Sequence, residues 1–228
     1  MKRLFCNNHG SIEACSVNPI DIKVRAGKYD DYPGKLKISN EDAQAKLDIK
    51  LSDYYDKAPG PPQICGFDAA GTVVAAGSEC SLFKEGDQIY YSGSPIRQGS
   101  NAEFQLVDER NVAHKPKSLD TVEAAALPLT YITAYQGLIE QLRISAKEEA
   151  AILIINGGGG VGAIATQIAR HILKLPVVIT TASRPGTTDF SKRMGATHVV
   201  NHREDMVKQI EDLDLHLPLR LAPNFYCF

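Results

Sequence analysis

The chain has 228 residues, with 25 Lys+Arg against 27 Asp+Glu, a formal net charge of −2, and 43% hydrophobic residues. A near-neutral balance without a long Lys/Arg run argues against nucleic acid or an anionic membrane surface as partner, because both demand concentrated positive charge. No apolar stretch approaches the roughly 20 residues that span a bilayer, and the N-terminus has no signal-peptide core, so no membrane role and a cytoplasmic location are expected.

A chain of this length buries enough surface for one large domain or two modest ones without staples. Five cysteines, Cys6, Cys15, Cys65, Cys80 and Cys227, are an odd number without C-x-x-C spacing. They suit a reducing compartment and read as buried free thiols rather than a zinc lobe or disulfide scaffold.

In chain order, the first half carries short β-type runs between turn residues: Ile12 to Val17, Gly71 to Gly77, Asp87 to Tyr91 and Ala102 to Val107. They predict a compact β domain. Residues 34–52, polar and helix-permissive, fit poorly and read as an exposed insertion. From Asp120 the texture turns helical, with Leu127, Leu129, Ile132, Tyr135, Leu138 and Ile139 at three- and four-residue intervals. The division falls near Thr130, giving residues 1–128 as the first domain and 129–228 as the second.

Beyond the division the pattern alternates. Ala151 to Ile155 is a continuous apolar run, as expected of a strand covered on both faces. Val161 to Leu173 predicts a helix with Ile164, Ile168 and Ile172 on one side, Val177 to Ile179 a second strand, and His198 to Val200 a third. Glu204 to Leu213 predicts another helix. Alternating strands and helices imply a doubly wound parallel sheet and an α/β fold class. Only about three strands are visible before the tail, so the sheet reads as partial.

The strongest signal is Asn156-Gly157-Gly158-Gly159-Gly160-Val161-Gly162, where Gly157, Gly159 and Gly162 satisfy G-x-G-x-x-G between an apolar strand and a helix. The first glycine permits the tight turn, the second lets backbone approach a pyrophosphate, and the third lets the helix pack closely. The helix N-terminus offers unsatisfied N–H groups to the phosphates. A P-loop is excluded, because Ala163-Ile164 stands where Lys then Ser/Thr is required. The second strand ends in Thr180-Thr181-Ala182-Ser183-Arg184, with no carboxylate to repel a 2′-phosphate. Arg184 offers a fork of donors and Ser183 a hydroxyl, which favours NADPH over NADH; an exposed Arg that is merely solvated is the plain alternative.

Four ordered blocks now point the same way: residues 16–27, 66–73, 125–135 and the glycine loop through Gly195-Ala196. Together they resemble the medium-chain dehydrogenase/reductase superfamily, in its quinone oxidoreductase-like branch, often labelled zinc-type alcohol dehydrogenase-like. The resemblance implies a GroES-like β domain followed by a Rossmann domain, with substrate and nicotinamide in the cleft between them. It also implies a homodimer in the full-length family. In zinc-dependent members the first block carries a Cys ligand, the second Gly-His-Glu and the third a Cys. Those places here hold Asn18, Phe67 and Leu129, none of which supplies a thiolate or imidazole, so no metal is expected.

Without zinc, the implied reaction is direct hydride transfer from NADPH to a small-molecule quinone or α,β-unsaturated carbonyl, with the protein supplying orientation and electrostatics. The resemblance places Asn18 and Asp21 beside the nicotinamide and substrate, and Thr133 at the nicotinamide end. It places Gly159, Gly160 and Val161 under the pyrophosphate, and Thr181, Ser183, Arg184 and His202 toward the adenosine phosphate. Tyr131 is the candidate proton donor. Plain alternatives stand beside each: Asn18-Pro19 as a turn start, Asp21 as a helix cap, Thr133 bonded within its helix, His202 at the surface, and Tyr131 in the core with Tyr135.

Two departures are expected. The usual opening strands of the β domain look absent before Ile12, and the tail after Leu213 stops resembling the family. The chain therefore reads as truncated at both ends, with residues 34–52 as sequence retained from an imperfect gene model. A non-catalytic NADPH-binding fragment and a zinc-dependent enzyme with unusual ligands are the competing readings.

Overall fold

The computed structural model describes residues 3–5, 12–25, 64–93 and 99–222. The expected insertion at 34–52 lies outside them, as do Cys6, Cys227 and the last residues of the tail. The chain forms two compact units, Met1–Leu129 and Thr130–Phe228.

The first unit is built from antiparallel strands. β2 (Ile12–Cys15), β3 (Asp68–Thr72), β5 (Gln88–Ser92) and β7 (Val112–His114) form one sheet in that spatial order. β1 (Arg3–Phe5) lies between β4 (Ala75–Ala76) and β6 (Leu106–Asp108) in a second. Before Ile12, where the usual opening strands of the β domain are expected to be missing, a short strand β1 is present: Arg3, Leu4 and Phe5 register against Asp108, Val107 and Leu106. The apolar run 71–77 is divided between β3 and β4. A pair of backbone bonds, Val73 N to Asp87 O and Gly86 N to Val73 O, turns the chain there.

The side chains that close this unit are small or β-branched. Ala69, Val73, Ile89, Tyr91 and Val107 pack in one cluster, and Ala70 meets Ala124 and Ala125 of helix α2 (Thr121–Ala125) in another. α2 starts on a full capping box, Asp120 and Glu123 each accepting the other's backbone N–H. The cysteines are less buried than expected: Cys65 and Cys80 are half-buried, and Cys15, on an outward position of β2, is exposed.

In the second unit the parallel sheet holds four strands: β8 (Ala151–Ile154), β9 (Val177–Thr181), β10 (His198–Val200) and β11 (Leu219–Leu221), in spatial order β10-β9-β8-β11. β11 is the element the sequence conceals. It lies parallel to β8, with Leu219, Arg220 and Leu221 opposite Ala151, Ile152 and Leu153, so the sheet reaches one strand further than expected. The strand order reverses at β8, which is the switch point where doubly wound folds bind ligands. All four residues of β8 are buried, as its unbroken apolar run requires.

α3 (Pro128–Tyr135) and α4 (Gly160–Gln167) each run on into a π-helical turn, at Gln136–Gln141 and Ile168–Ile172. Each extra residue per turn rotates the face presented to the core. Ile168 and Leu173 are therefore buried while Ile172, expected beside Ile164 and Ile168, is 58% exposed. Ala134 of α3 and Leu138 of the π-helical turn that follows it enter the core. Tyr131, Ile132 and Tyr135 stand exposed, and the two tyrosine rings stack at 6.1 Å, so the plain alternative that puts these aromatics in the core does not hold. α5 (Pro185–Arg193) and α6 (Met206–Glu211) complete the unit. Among the described residues no helix is long and apolar enough to cross a membrane.

Candidate functional site

In the second unit the glycine loop leaves the C-terminal end of β8 and enters α4 at Gly159, whose extended backbone caps the helix without any side-chain acceptor. Asn156 holds the bend in a left-handed conformation, φ 59°. Its N–H donates to Thr181 Oγ1 at 2.8 Å, and Gly157 N donates to Thr181 O at 3.2 Å, so the end of β9 pins the base of the loop.

Steric room explains each glycine. A Cβ at Gly157 would lie 2.5 Å from Thr180 Cβ, and one at Gly159 2.5 Å from Asn156 Nδ2. A Cβ at Gly162 would strike the Asn156 carbonyl oxygen, and at Gly160 it would come within 3.2 Å of Thr130 Cγ2. Thr130 and Thr180 are thus walls of the loop that the motif does not reveal. Thr180 Oγ1 is fully buried without a hydrogen-bond partner beneath Gly157. A backbone cradle with uncapped helical N–H groups, bare of side chains, fits a dinucleotide pyrophosphate.

Around it, Val161 and Thr133 are half-buried and Thr181 is buried. Ser183 is half-buried between β9 and α5. Arg184 is exposed at the N-cap of α5 with no acidic residue in that helix's first turn. His202 stands exposed in the turn after β10, and Tyr131 lies on the exposed face of α3.

The first unit holds a different cluster. Asn18 precedes helix α1 (Pro19–Arg25), and Asp21 caps it: Oδ2 accepts Asn18 N at 2.8 Å and Oδ1 accepts Gly66 N at 2.7 Å. Both oxygens of Asp21 are therefore given to backbone. Asn18 is 7% exposed, and its Nδ2 donates to Asp68 Oδ2 at 2.8 Å and to Ser16 Oγ at 3.0 Å. Ser16 Oγ donates to Asp68 Oδ2 at 2.8 Å, and Leu129 N donates to Asp68 Oδ1 at 2.6 Å.

Asp68 is thus the hub of the cluster, fully buried at the start of β3. Burial pushes its carboxyl up from 3.8 to about 6, against the opposing pull of the Ser16, Asn18 and Leu129 hydrogen bonds; the nearby Asp21 charge adds to the rise. Asp68 and Ser16 were not among the predicted site residues. The signal for Asp68 was a charge followed by Ala69-Ala70 in a strand, where an unpaired carboxylate is costly.

The three places where zinc-dependent relatives carry ligands are not equipped for zinc. Asn18 spends its amide on Asp68 and Ser16, Phe67 is a buried ring, and Leu129 contributes a backbone N–H to Asp68. No group of three His, Cys, Asp or Glu side chains among the described residues is arranged to hold a metal ion. Among the described residues, these three positions offer Zn²⁺ none of the thiolate, imidazole or carboxylate ligands it takes.

The second unit is a parallel sheet with a glycine cradle at its switch point, and the first is an antiparallel β unit, the architecture of a GroES-like domain followed by a Rossmann-type domain. Residues 11–117 match the alcohol dehydrogenase GroES-like domain family. Over 210 residues the chain is 48% identical to a zinc-type alcohol dehydrogenase-like protein of Staphylococcus aureus (strain Mu50), covering 90% of this chain and 53% of that protein. It is 31% identical over 207 residues to the chloroplastic NADPH-dependent alkenal/one oxidoreductase of Arabidopsis thaliana, covering 88% and 46%. A crystal structure of a zinc-dependent alcohol dehydrogenase-type protein from Rhizobium etli superposes with TM-score 0.73 at 39% identity, covering 96% of this chain and 56% of that one.

The chain belongs to the medium-chain dehydrogenase/reductase superfamily of oxidoreductases, with a GroES-like domain and a Rossmann-type domain. It spans about half the length of the curated relatives it matches.

Proposed function

We propose that this chain binds NADPH and serves a zinc-independent reduction of a small quinone or α,β-unsaturated carbonyl. The observation that carries the reading is the cradle at the end of β8, where three glycines are enforced by Thr180, Asn156 and the Asn156 carbonyl. NADPH supplies a hydride when bound, so the residues need only hold, orient and protonate.

Gly160, Val161 and Gly162 take the pyrophosphate on backbone N–H groups, Gly157 and Gly159 leave it room by lacking side chains, and Thr181 fixes the loop from below. Ser183 and Arg184 take the 2′-phosphate through a hydroxyl and a charged fork, and His202 borders that side. Thr133 orients the nicotinamide. Asn18, set in place by the Asp21 clamp, lines the acceptor side, and Tyr131 is a candidate donor to the reduced acceptor. The absence of an acidic residue in the first turn of α5 supports NADPH over NADH. The resemblance to the NADPH-dependent alkenal/one oxidoreductase of Arabidopsis thaliana supports an enone acceptor.

The test is a titration of the purified chain with NADPH and NADH, followed by nicotinamide fluorescence. NADPH is expected to bind more tightly, and Arg184→Ala to weaken NADPH by about 10- to 100-fold, the worth of a charge-assisted bond, while leaving NADH unchanged. Equal affinity for both cofactors would refute the Arg184 assignment. Tight binding without oxidation by methyl vinyl ketone or 1,4-benzoquinone would favour a non-catalytic nucleotide-binding role.

A further inference from the structure

The G-x-G-x-x-G pattern demands glycine at 157, 159 and 162 and leaves position 158 free, yet Gly158 is a glycine as well. The reason lies outside the loop. A Cβ at Gly158 would come within 3.1 Å of Thr187 Cβ and 3.2 Å of Thr187 Cγ2, tighter than most side-chain contacts. Thr187 is half-buried and is the third residue of α5, so the first turn of that helix is seated directly against the glycine loop.

The same side chain also holds Arg184. Thr187 Oγ1 donates to Arg184 O at 2.9 Å, and Thr188 N donates to the same oxygen at 2.9 Å. A carbonyl oxygen has two lone pairs, and these two donors use both. The Thr188 bond is the ordinary first bond of the helix; the Thr187 hydroxyl adds one that the helix does not require. Arg184 is the N-cap residue of α5, with extended backbone at φ −121° and ψ 143°. Pro185, at the next position, keeps Arg184 out of the helical region, but the extended region that remains is broad. The paired bonds to the carbonyl select one place within it. The base of the Arg184 side chain is thereby fixed although the residue itself is exposed. A long side chain loses rotamer freedom when it grips a ligand, and a fixed base reduces what must be ordered at that moment.

We propose that Thr187 is a positioning residue for cofactor choice: its hydroxyl holds the Arg184 backbone for contact with the 2′-phosphate of NADPH, and its seat against Gly158 ties that arginine to the glycine loop. The inference rests on the NADPH reading above and deepens it. The Thr187 hydroxyl hydrogen is spent on the Arg184 carbonyl, so Thr187 acts through Arg184 and not as a phosphate donor. NADH has no 2′-phosphate, so the hydroxyl contributes nothing to its binding.

Fluorescence titrations of the purified chain with NADPH and with NADH test the assignment. Thr187→Val keeps the branched shape and removes the hydroxyl. It is expected to raise the NADPH Kd about fivefold, as for one hydrogen bond, and to leave the NADH Kd unchanged. Thr187→Ser keeps the hydroxyl and should keep the wild-type preference. In an Arg184→Ala background, Thr187→Val should have no further effect, because a residue that acts through Arg184 then has nothing to position. Equal weakening of both cofactors by Thr187→Val, as expected of a merely structural residue, overturns the positioning role and leaves the NADPH reading intact. So does a wild-type preference in Thr187→Val, a lost preference in Thr187→Ser, or a Thr187→Val effect that persists undiminished after Arg184→Ala. A wild type that does not prefer NADPH, or an Arg184→Ala variant that binds NADPH as the wild type does, overturns both.

Discussion

Two glycines in helices of the second unit should respond oppositely to the same substitution. Gly162 lies in the first turn of α4, and Gly186 is the second residue of α5. Ala in place of Gly in a helix gains about 1 kcal/mol from propensity at either place. At Gly186 a Cβ would meet nothing within 4 Å, so the gain is kept and Gly186→Ala stabilises by roughly 0.4–1 kcal/mol. At Gly162 the Cβ would strike the Asn156 carbonyl oxygen and come within 2.8 Å of its carbon and 3.0 Å of Gly157 Cα.

Those obstacles at Gly162 are backbone, and the Asn156 bend is pinned from β9, so relief requires the whole loop to lift. Overpacking of this kind costs about 1–3 kcal/mol. The propensity gain cancels when the two variants are compared, so the difference between them, about 1–3 kcal/mol, isolates the clash. Amide exchange of the β8 residues reports the opening free energy of this unit without interference from the other. The same lifted loop should raise the NADPH Kd of Gly162→Ala at least tenfold and leave that of Gly186→Ala unaltered. Equal exchange protection in the two variants would refute the steric account of the loop.

Asp68 also predicts a pH dependence of stability in the first unit. Its carboxyl stands at about 6 in the fold against 3.8 free. The folded state therefore holds more protons across that window, and stability falls as pH rises through it, by about 3 kcal/mol in total. Roughly 2 kcal/mol of this should appear between about pH 4.5 and about pH 7.5 as weaker amide protection of β3, and the difference should vanish in Asp68→Asn. Arg220→Ala removes the bidentate contact to Glu148 Oε1, at 2.7 and 3.0 Å, that ties β11 to the loop before β8. The pair is partly exposed, so the loss should stay within about 1 kcal/mol and shrink at high salt; a larger loss in urea unfolding would mean that β11 depends on this pair rather than on its ladder.

The second unit was legible because its signals are local. β8 announces itself as an unbroken apolar run, the cradle as four consecutive glycines, and the start of α4 as the place where the period changes from strand to helix. β11 was not legible, and for a physical reason. Leu219-Arg220-Leu221 follows Pro218 closely, and all three of its side chains are exposed, so it has neither a buried run nor a buried-exposed alternation. What makes it a strand is the edge of β8, which is a tertiary fact. The π-helical turns hide similarly, since a single extra residue leaves composition unchanged while rotating Ile172 out to solvent.

The Asp68 network shows a deeper limit. Its partners lie 52, 50 and 61 residues away along the chain, and one of them, Leu129, contributes only backbone. Sequence reading finds chemistry by residue type and spacing, and neither property marks a leucine whose N–H stabilises a carboxylate. The zinc comparison came nearest to finding it. The positions it flagged, Asn18 and Leu129, are two of the groups that converge on Asp68, and Phe67 is its chain neighbour. Where zinc-dependent relatives place ligands, this chain places hydrogen-bond donors around a single buried carboxylate. A cluster of donors is what an anion requires, so the hydrogen bonds that converge on Asp68 favour its ionised form against the opposing and larger effect of burial.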